Sequence, residues 1–210
     1  MLIINGFNLI DGINGLAGSI GTLAAGILGG WFFWVGRIEL SVLSFALVGA
    51  CIAFLKFNYT PAKTFMGDSG SLVIGITCAI LITSFIEVNH QLPIGNPYKM
   101  NNGPVFAISV AILPIFDTVR VFLTRIVRGH SPFAPDRRHI HHLLVDFGFS
   151  HTMTTVILTG VSILFLTLVV VLDRYLSLHT LLLLIISLAS ALTYYLHWAV
   201  NRYRARKMAF

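Results

Sequence analysis

Apolar residues run along this chain in long blocks, and polar residues gather in short clusters between them. Six blocks, at roughly 14–35, 39–56, 70–88, 104–124, 153–172 and 176–198, are long enough to cross a bilayer core, which takes about 20 residues each. They predict six transmembrane helices in an all-α, polytopic membrane helical bundle. The first block is rich in glycine (Gly15, Gly18, Gly21, Gly26, Gly29, Gly30), a pattern that close helix packing is enough to explain. The fourth is less regular, because Pro114 interrupts it and Asp117 and Arg120 lie within it.

Composition supports the membrane assignment. The chain has 210 residues, 56% hydrophobic and 10% charged, where soluble domains carry about 25% charged residues. Cys51 and Cys78 lie inside apolar blocks and read as small buried hydrophobes, not as a disulfide or metal pair. No internal repeat or cleavable signal peptide is evident.

Charge placement sets the orientation. Lys56, Lys63, Arg120, Arg125, Arg128, Arg137, Arg138, Arg202, Arg204, Arg206 and Lys207 fall on one side of the six-span arrangement. Only Arg37, Lys99 and Arg174 fall on the other. The positive-inside bias makes the first side cytoplasmic and places both termini there. Four polar clusters then share that side: "NGFNLIDGINGL" (5–16), "KTFMGDSGS" (63–71), "PIFDTVR" (114–120) and "RGHSPFAPDRRHIHH" (128–142). The opposite loop, "NHQLPIGNPYKMNNG", reads as ordinary turn material.

Several chemistries fit these clusters. Asp11, Asp68 and Asp117 come from three segments that can converge at the inner surface, where carboxylates are costly and tend to be functional. Oxygen ligands without nearby cysteine favour Mg²⁺, with Mn²⁺ as an alternative, over zinc. Asn5 and Asn8 can orient a carboxylate or meet a sugar hydroxyl. Asp68 can also cap a helix, and Asp117 can pair with Arg120 one turn away. The small residues around Asp68 suit phosphate at a helix start, or a plain turn. His139, His141 and His142, with Arg137 and Arg138, have three readings: a zinc site, a solvated basic loop, or a loop that grips a diphosphate.

At these residues the chain resembles the polyprenyl-phosphate N-acetylhexosamine-1-phosphate transferase family. The matching segments are Asn5-x-x-Asn8-x-x-Asp11-Gly12-x-x-Gly15-Leu16, Phe65-Met66-Gly67-Asp68-Ser69-Gly70-Ser71, Pro114-x-x-Asp117-Thr118 and His139-Ile140-His141-His142. The histidine form is more similar to the GlcNAc branch. The resemblance implies transfer of a sugar-1-phosphate from a UDP-sugar to polyprenyl phosphate, with UMP released, as a first membrane step of cell-envelope polysaccharide synthesis. It also implies Mg²⁺ and a site on the cytoplasmic face of the bacterial inner membrane. By motif, Asp11, Asp68 and Asp117 are the catalytic candidates, and Asp68, Asn8 and Asp11 the metal candidates. Asn5, Asn8, Phe65, Arg137, Arg138, His139, His141 and His142 are the substrate-binding candidates. The implied partners are a UDP-sugar, polyprenyl phosphate and the lipid bilayer. A homodimer is the candidate assembly, and no nucleic acid is expected.

The family's upstream Asp-Asp-x-x-Asp motif is absent, since this sequence has no adjacent aspartates. The resemblance therefore implies that residues 1–210 form one transmembrane domain corresponding to the C-terminal part of the family fold, with little or no activity alone. Two rival readings follow: a transporter with broken helices, and a non-catalytic membrane partner that binds the donor without turnover.

Overall fold

The computed structural model describes residues 1–59, 61–129 and 139–207. Among these, helices are the regular structure: α1 (Leu2–Ile10), α2 (Leu16–Trp34), α3 (Ile38–Asn58), α4 (Gly67–Gln91), α5 (Gly103–Val110), α6 (Ile112–Val127), α7 (Ile140–Phe147), α8 (His151–Leu172) and α9 (Leu178–Lys207). Five of them, α2, α3, α4, α8 and α9, are long and apolar enough to cross a membrane. The chain is a multi-pass membrane protein. α2 is the most enclosed span, with its small residues set against α3, α4 and α8. α3 and α9 leave many large hydrophobics outward, such as Val42, Ile52, Leu183 and Ile186, as lipid-facing helices do.

The fourth predicted span is not one straight helix. α5 and α6 meet at Ala111 with a bend of 85°. The break lies three residues before Pro114. A proline ring clashes with the carbonyl four residues earlier, here Val110, so α5 ends there. Pro114 then sits in the first turn of α6, where its missing N–H breaks no helical bond.

α1 and α7 are too short to span, and both serve to place the polar clusters. α1 is wedged between α4 and α6. A Cβ on Gly75 would lie 2.8 Å from the Ile4 Cα, and one on Gly6 would lie 2.8 Å from the Pro114 carbonyl oxygen. Both contacts are with backbone, so neither neighbour can rotate away. Gly75→Ala is expected to cost about 1–3 kcal/mol as an overpacked contact. The check is a lower thermal unfolding midpoint in detergent.

The opposite end of the bundle is more ordered than turn material. Asn89 exchanges two hydrogen bonds with Met100: its side chain donates to the carbonyl (2.9 Å) and accepts from the N–H (2.8 Å). The Trp31 indole donates to the Tyr98 carbonyl (2.8 Å). Buried Asp173 accepts the N–H groups of Asn101 (2.9 Å) and Asn102 (2.8 Å), joining the loop before α5 to the end of α8.

Candidate functional site

The end of the bundle that carries α1, the start of α4 and α7 brings residues of all four polar clusters together. α1 ends at Ile10 and presents Asn8 and then Asp11. α4 begins at Gly67, so Asp68 is its second residue, where the helix dipole favours a negative charge. Asp68 does not act as an N-cap; Met66 holds that position without a side-chain cap bond. Instead the Asn8 amide donates to Asp68 Oδ1 and to Ser71 Oγ, both at 3.0 Å. Ser71 is fully buried and donates in turn to the Gly67 carbonyl (3.1 Å). Asn8 therefore orients the Asp68 carboxylate through its NH₂.

Asp11 is half-buried beside this pair and accepts a hydrogen bond from the Gly67 backbone N–H. Burial, reinforced by the neighbouring Asp68 charge and opposed by that hydrogen bond, pushes the Asp11 carboxyl up to about 6. Two carboxylates close enough to repel form a place for a cation. The donor set fits Mg²⁺, which is commonly held by one or two carboxylates and completes its shell with water and substrate phosphate. Among the described residues no three or more His, Cys, Asp or Glu side chains are placed to ligate one metal ion together, so a cation here would rest on the carboxylate pair and on oxygens from water or substrate.

His141 completes the cluster. It is 1% exposed, and neither ring nitrogen meets a hydrogen-bond partner among the described residues. A Cβ on Gly12 would lie 2.7 Å from its Nε2, so the ring rests directly on the backbone that follows Asp11. A buried imidazole with two unsatisfied nitrogens is a ready ligand-binding group. Its ring stacks near His139 (centroids 5.8 Å apart) and His142 (4.2 Å).

Burial, and then the neighbouring His142, hold the His141 imidazole down to about 3; His139 and His151 act in the same sense and Asp117 opposes them. In the unfolded chain it takes up a proton near pH 6.5. The unfolded state therefore binds more protons between these values. The stability gained from a neutral His141 is complete above pH 6.5 and declines as pH falls toward 3. This contribution is expected to reach about 2 kcal/mol of lost stability at pH 5. Thermal melts at pH 8 and pH 5 check it, with His141→Phe expected to show the smaller difference.

Asp117, a catalytic candidate by motif, is 1% exposed and has both oxygens engaged within the protein. Oδ1 accepts two bonds from the Arg120 guanidinium (2.7 and 3.3 Å), and Oδ2 faces His139 Nδ1 at 2.9 Å. The Ile140 N–H, at the start of α7, donates to both oxygens (3.3 and 3.2 Å). Arg120 in turn contacts His197 Nε2 at 3.1 Å.

The remaining candidates differ in placement. Asn5 is exposed on α1 and makes no side-chain bond to the cluster among the described residues. Phe65 is 79% exposed in the segment before α4, free to meet a planar ligand. Arg137 and Arg138 lie outside the described residues. Sequence reasoning missed Asn58, which is buried at the end of α3. Its side chain accepts the Gly15 N–H (2.6 Å) and donates to the Thr64 carbonyl (2.7 Å). Gly15 has φ +79°, a conformation that glycine adopts without strain, and the bond fixes the turn after Asp11. An asparagine closing an otherwise apolar helix was the available signal.

Fold and site together define a multi-pass helical membrane protein with a paired-carboxylate and histidine centre at one end. Residues 1–86 match the family described as glycosyl transferase family 4. The chain is 33% identical over 160 residues to the undecaprenyl-phosphate alpha-N-acetylglucosaminyl 1-phosphate transferase of Yersinia pestis, covering 74% of this chain and 41% of that protein. The Escherichia coli K12 protein of the same name is 33% identical over 161 residues, again 74% and 41%. A probable undecaprenyl-phosphate N-acetylglucosaminyl 1-phosphate transferase of Bacillus subtilis is 34% identical over 167 residues, 78% and 43%. The chain belongs to glycosyl transferase family 4, and it spans about two fifths of the length of these curated relatives.

Proposed function

We propose that this chain serves the transfer of a sugar-1-phosphate, with GlcNAc-1-phosphate the first candidate, from a UDP-sugar to undecaprenyl phosphate at the cytoplasmic face of a bacterial inner membrane. An acceptor phosphate oxygen attacks the sugar-linked phosphorus of the donor. The bond from that phosphorus to the bridging oxygen breaks, and UMP leaves with the oxygen and the electron pair. The observation that carries this reading is the meeting of Asn8, Asp11, Asp68 and His141 at one end of the bundle.

Asp68 and Asp11 would hold Mg²⁺, which when bound neutralises charge on the donor diphosphate. Asn8 fixes the Asp68 carboxylate. His141, kept neutral by burial, offers a nitrogen to a phosphate or sugar oxygen next to the Gly12 backbone. His139 is held by Asp117, and His142 lies beside His141 to extend the same surface. Phe65, exposed before α4, would stack on a base. The names of the relatives and the lipid-facing helices support the membrane acceptor.

Calorimetric titration of the purified chain in detergent with UDP-GlcNAc tests the reading. The expected result is binding that requires Mg²⁺ and is abolished by EDTA. Binding that is absent, or indifferent to the cation, contradicts it.

A further inference from the structure

A second polar cavity lies on the other side of α6, away from the carboxylate pair, and the proposed reaction does not use it. It occupies about 580 Å³ between α6, α7 and α9, within the roughly 300–1,000 Å³ usual for ligand sites. Two rows of side chains face each other across it. Arg120 and Thr124 on α6 and Arg128 at its C-terminal cap follow one another at intervals of four, and His197, Asn201 and Arg204 form the facing row on α9. Asp146 of α7 is the acidic residue in this lining, and it is paired with Arg204 at 2.6 Å. Arg120 is paired with Asp117 and Arg204 with Asp146, so the surplus positive charge in this lining rests on Arg128, with the two paired guanidiniums beside it. Like charges folded toward a shared space favour an anion between them.

Two observations set the chemistry of that anion. The cavity lies at the depth of an aromatic belt on α9: Tyr194, Tyr195 and Trp198 are exposed, and Arg202 lies over the Trp198 ring at 4.9 Å. Exposed Trp and Tyr beside arginine mark the headgroup level of a bilayer. The cavity also shares Phe116, Arg120, Thr124 and Ser190 with an apolar cavity of about 430 Å³, which runs along α6 and α9 toward Ile108 and Leu182. A cationic chamber at headgroup depth that opens into an apolar channel is the negative image of an anionic amphiphile.

We propose that the cavity between α6, α7 and α9 binds the phosphate headgroup of an anionic membrane phospholipid, with an acyl chain in the adjoining apolar channel. The phosphate lies among Arg128, Arg204 and Asn201. Because Arg120 lines the cavity and also grips Asp117, the lipid sits one side chain from the group that holds His139. The proposal is independent of the sugar-transfer reading.

The test is native mass spectrometry of the full chain released from mixed vesicles of phosphatidylglycerol and phosphatidylcholine. The expected result is preferential retention of phosphatidylglycerol, weakened about fivefold by each of Arg128→Gln and Arg204→Gln, since a basic residue near the surface contributes about that factor. Arg128→Lys is expected to keep most of the preference, and Lys63→Gln, on another segment, all of it. Ser190→Phe, which narrows the passage between the two cavities, is expected to reduce retention without changing the charge. Equal retention of the two lipids, or a preference unchanged in both arginine variants, overturns the proposal. Displacement of the lipid by millimolar inorganic phosphate also overturns it, reassigning the cavity to a soluble anion.

Discussion

Replacing Asp68 with asparagine is expected to weaken Mg²⁺-dependent binding of a UDP-sugar by at least about 100-fold, because even outer-shell partners of a metal site are worth 10–100-fold. The substitution is nearly isosteric. The Asn8 amide can still donate to the remaining carbonyl oxygen, so the α1–α4 contact survives. Thermal stability is therefore expected to change by less than about 0.5 kcal/mol. What is lost is the full negative charge at the first turn of α4, next to Asp11. With that charge gone, Asp11 is relieved of repulsion and the site has one carboxylate left to hold a cation. Titration calorimetry with and without EDTA measures the effect. The variant is expected to bind in Mg²⁺ about as weakly as the parent does in EDTA. Undiminished affinity would remove Asp68 from the metal site.

Asp117→Ala should act on the fold. It removes an acceptor used by the Arg120 fork, by His139 and by the Ile140 N–H, all in a buried setting. Breaking a buried ion pair from one side costs about 3–5 kcal/mol, because the partner charge stays behind in a poor environment. Asp117→Asn keeps an acceptor but not the charge, and is expected to lose less. The check is the unfolding midpoint, read together with donor affinity. If Asp117 positions the histidine segment, the alanine variant loses stability and donor affinity together. A variant as stable as the parent would show that the buried pair with Arg120 carries little of the fold.

Much of the site was legible because the chain is so apolar. In such a sequence a polar residue at a helix end stands out, and Asn8, Asp11, Asp68 and His141 all lie at or beside helix ends. Their meeting was readable only through orientation, by counting spans and weighing Lys and Arg. Asp117 shows the limit of local spacing. Its bond to Arg120, three residues on, was visible in the sequence, whereas its bond to His139, 22 residues away, depends on how α7 folds back. The bend at Ala111 was misplaced for a related reason. A proline acts on the residue four positions before it, so Pro114 marked the irregularity but not its location. α1 and α7 were overlooked as helices because a search for spans about 20 residues long passes over shorter ones. Asn58 and Asp173, each at a helix end, tie together segments far apart in the chain, and no local spacing shows such a bond.

The proposed reaction requires Asp11 and Asp68 to share one divalent cation beside His141. Mn²⁺ titration followed by electron paramagnetic resonance, on the purified chain with UDP present, tests it most directly. One tightly held Mn²⁺ per chain is expected, lost in Asp68→Asn and weakened in Asp11→Asn. Unaltered Mn²⁺ binding in both variants would contradict it.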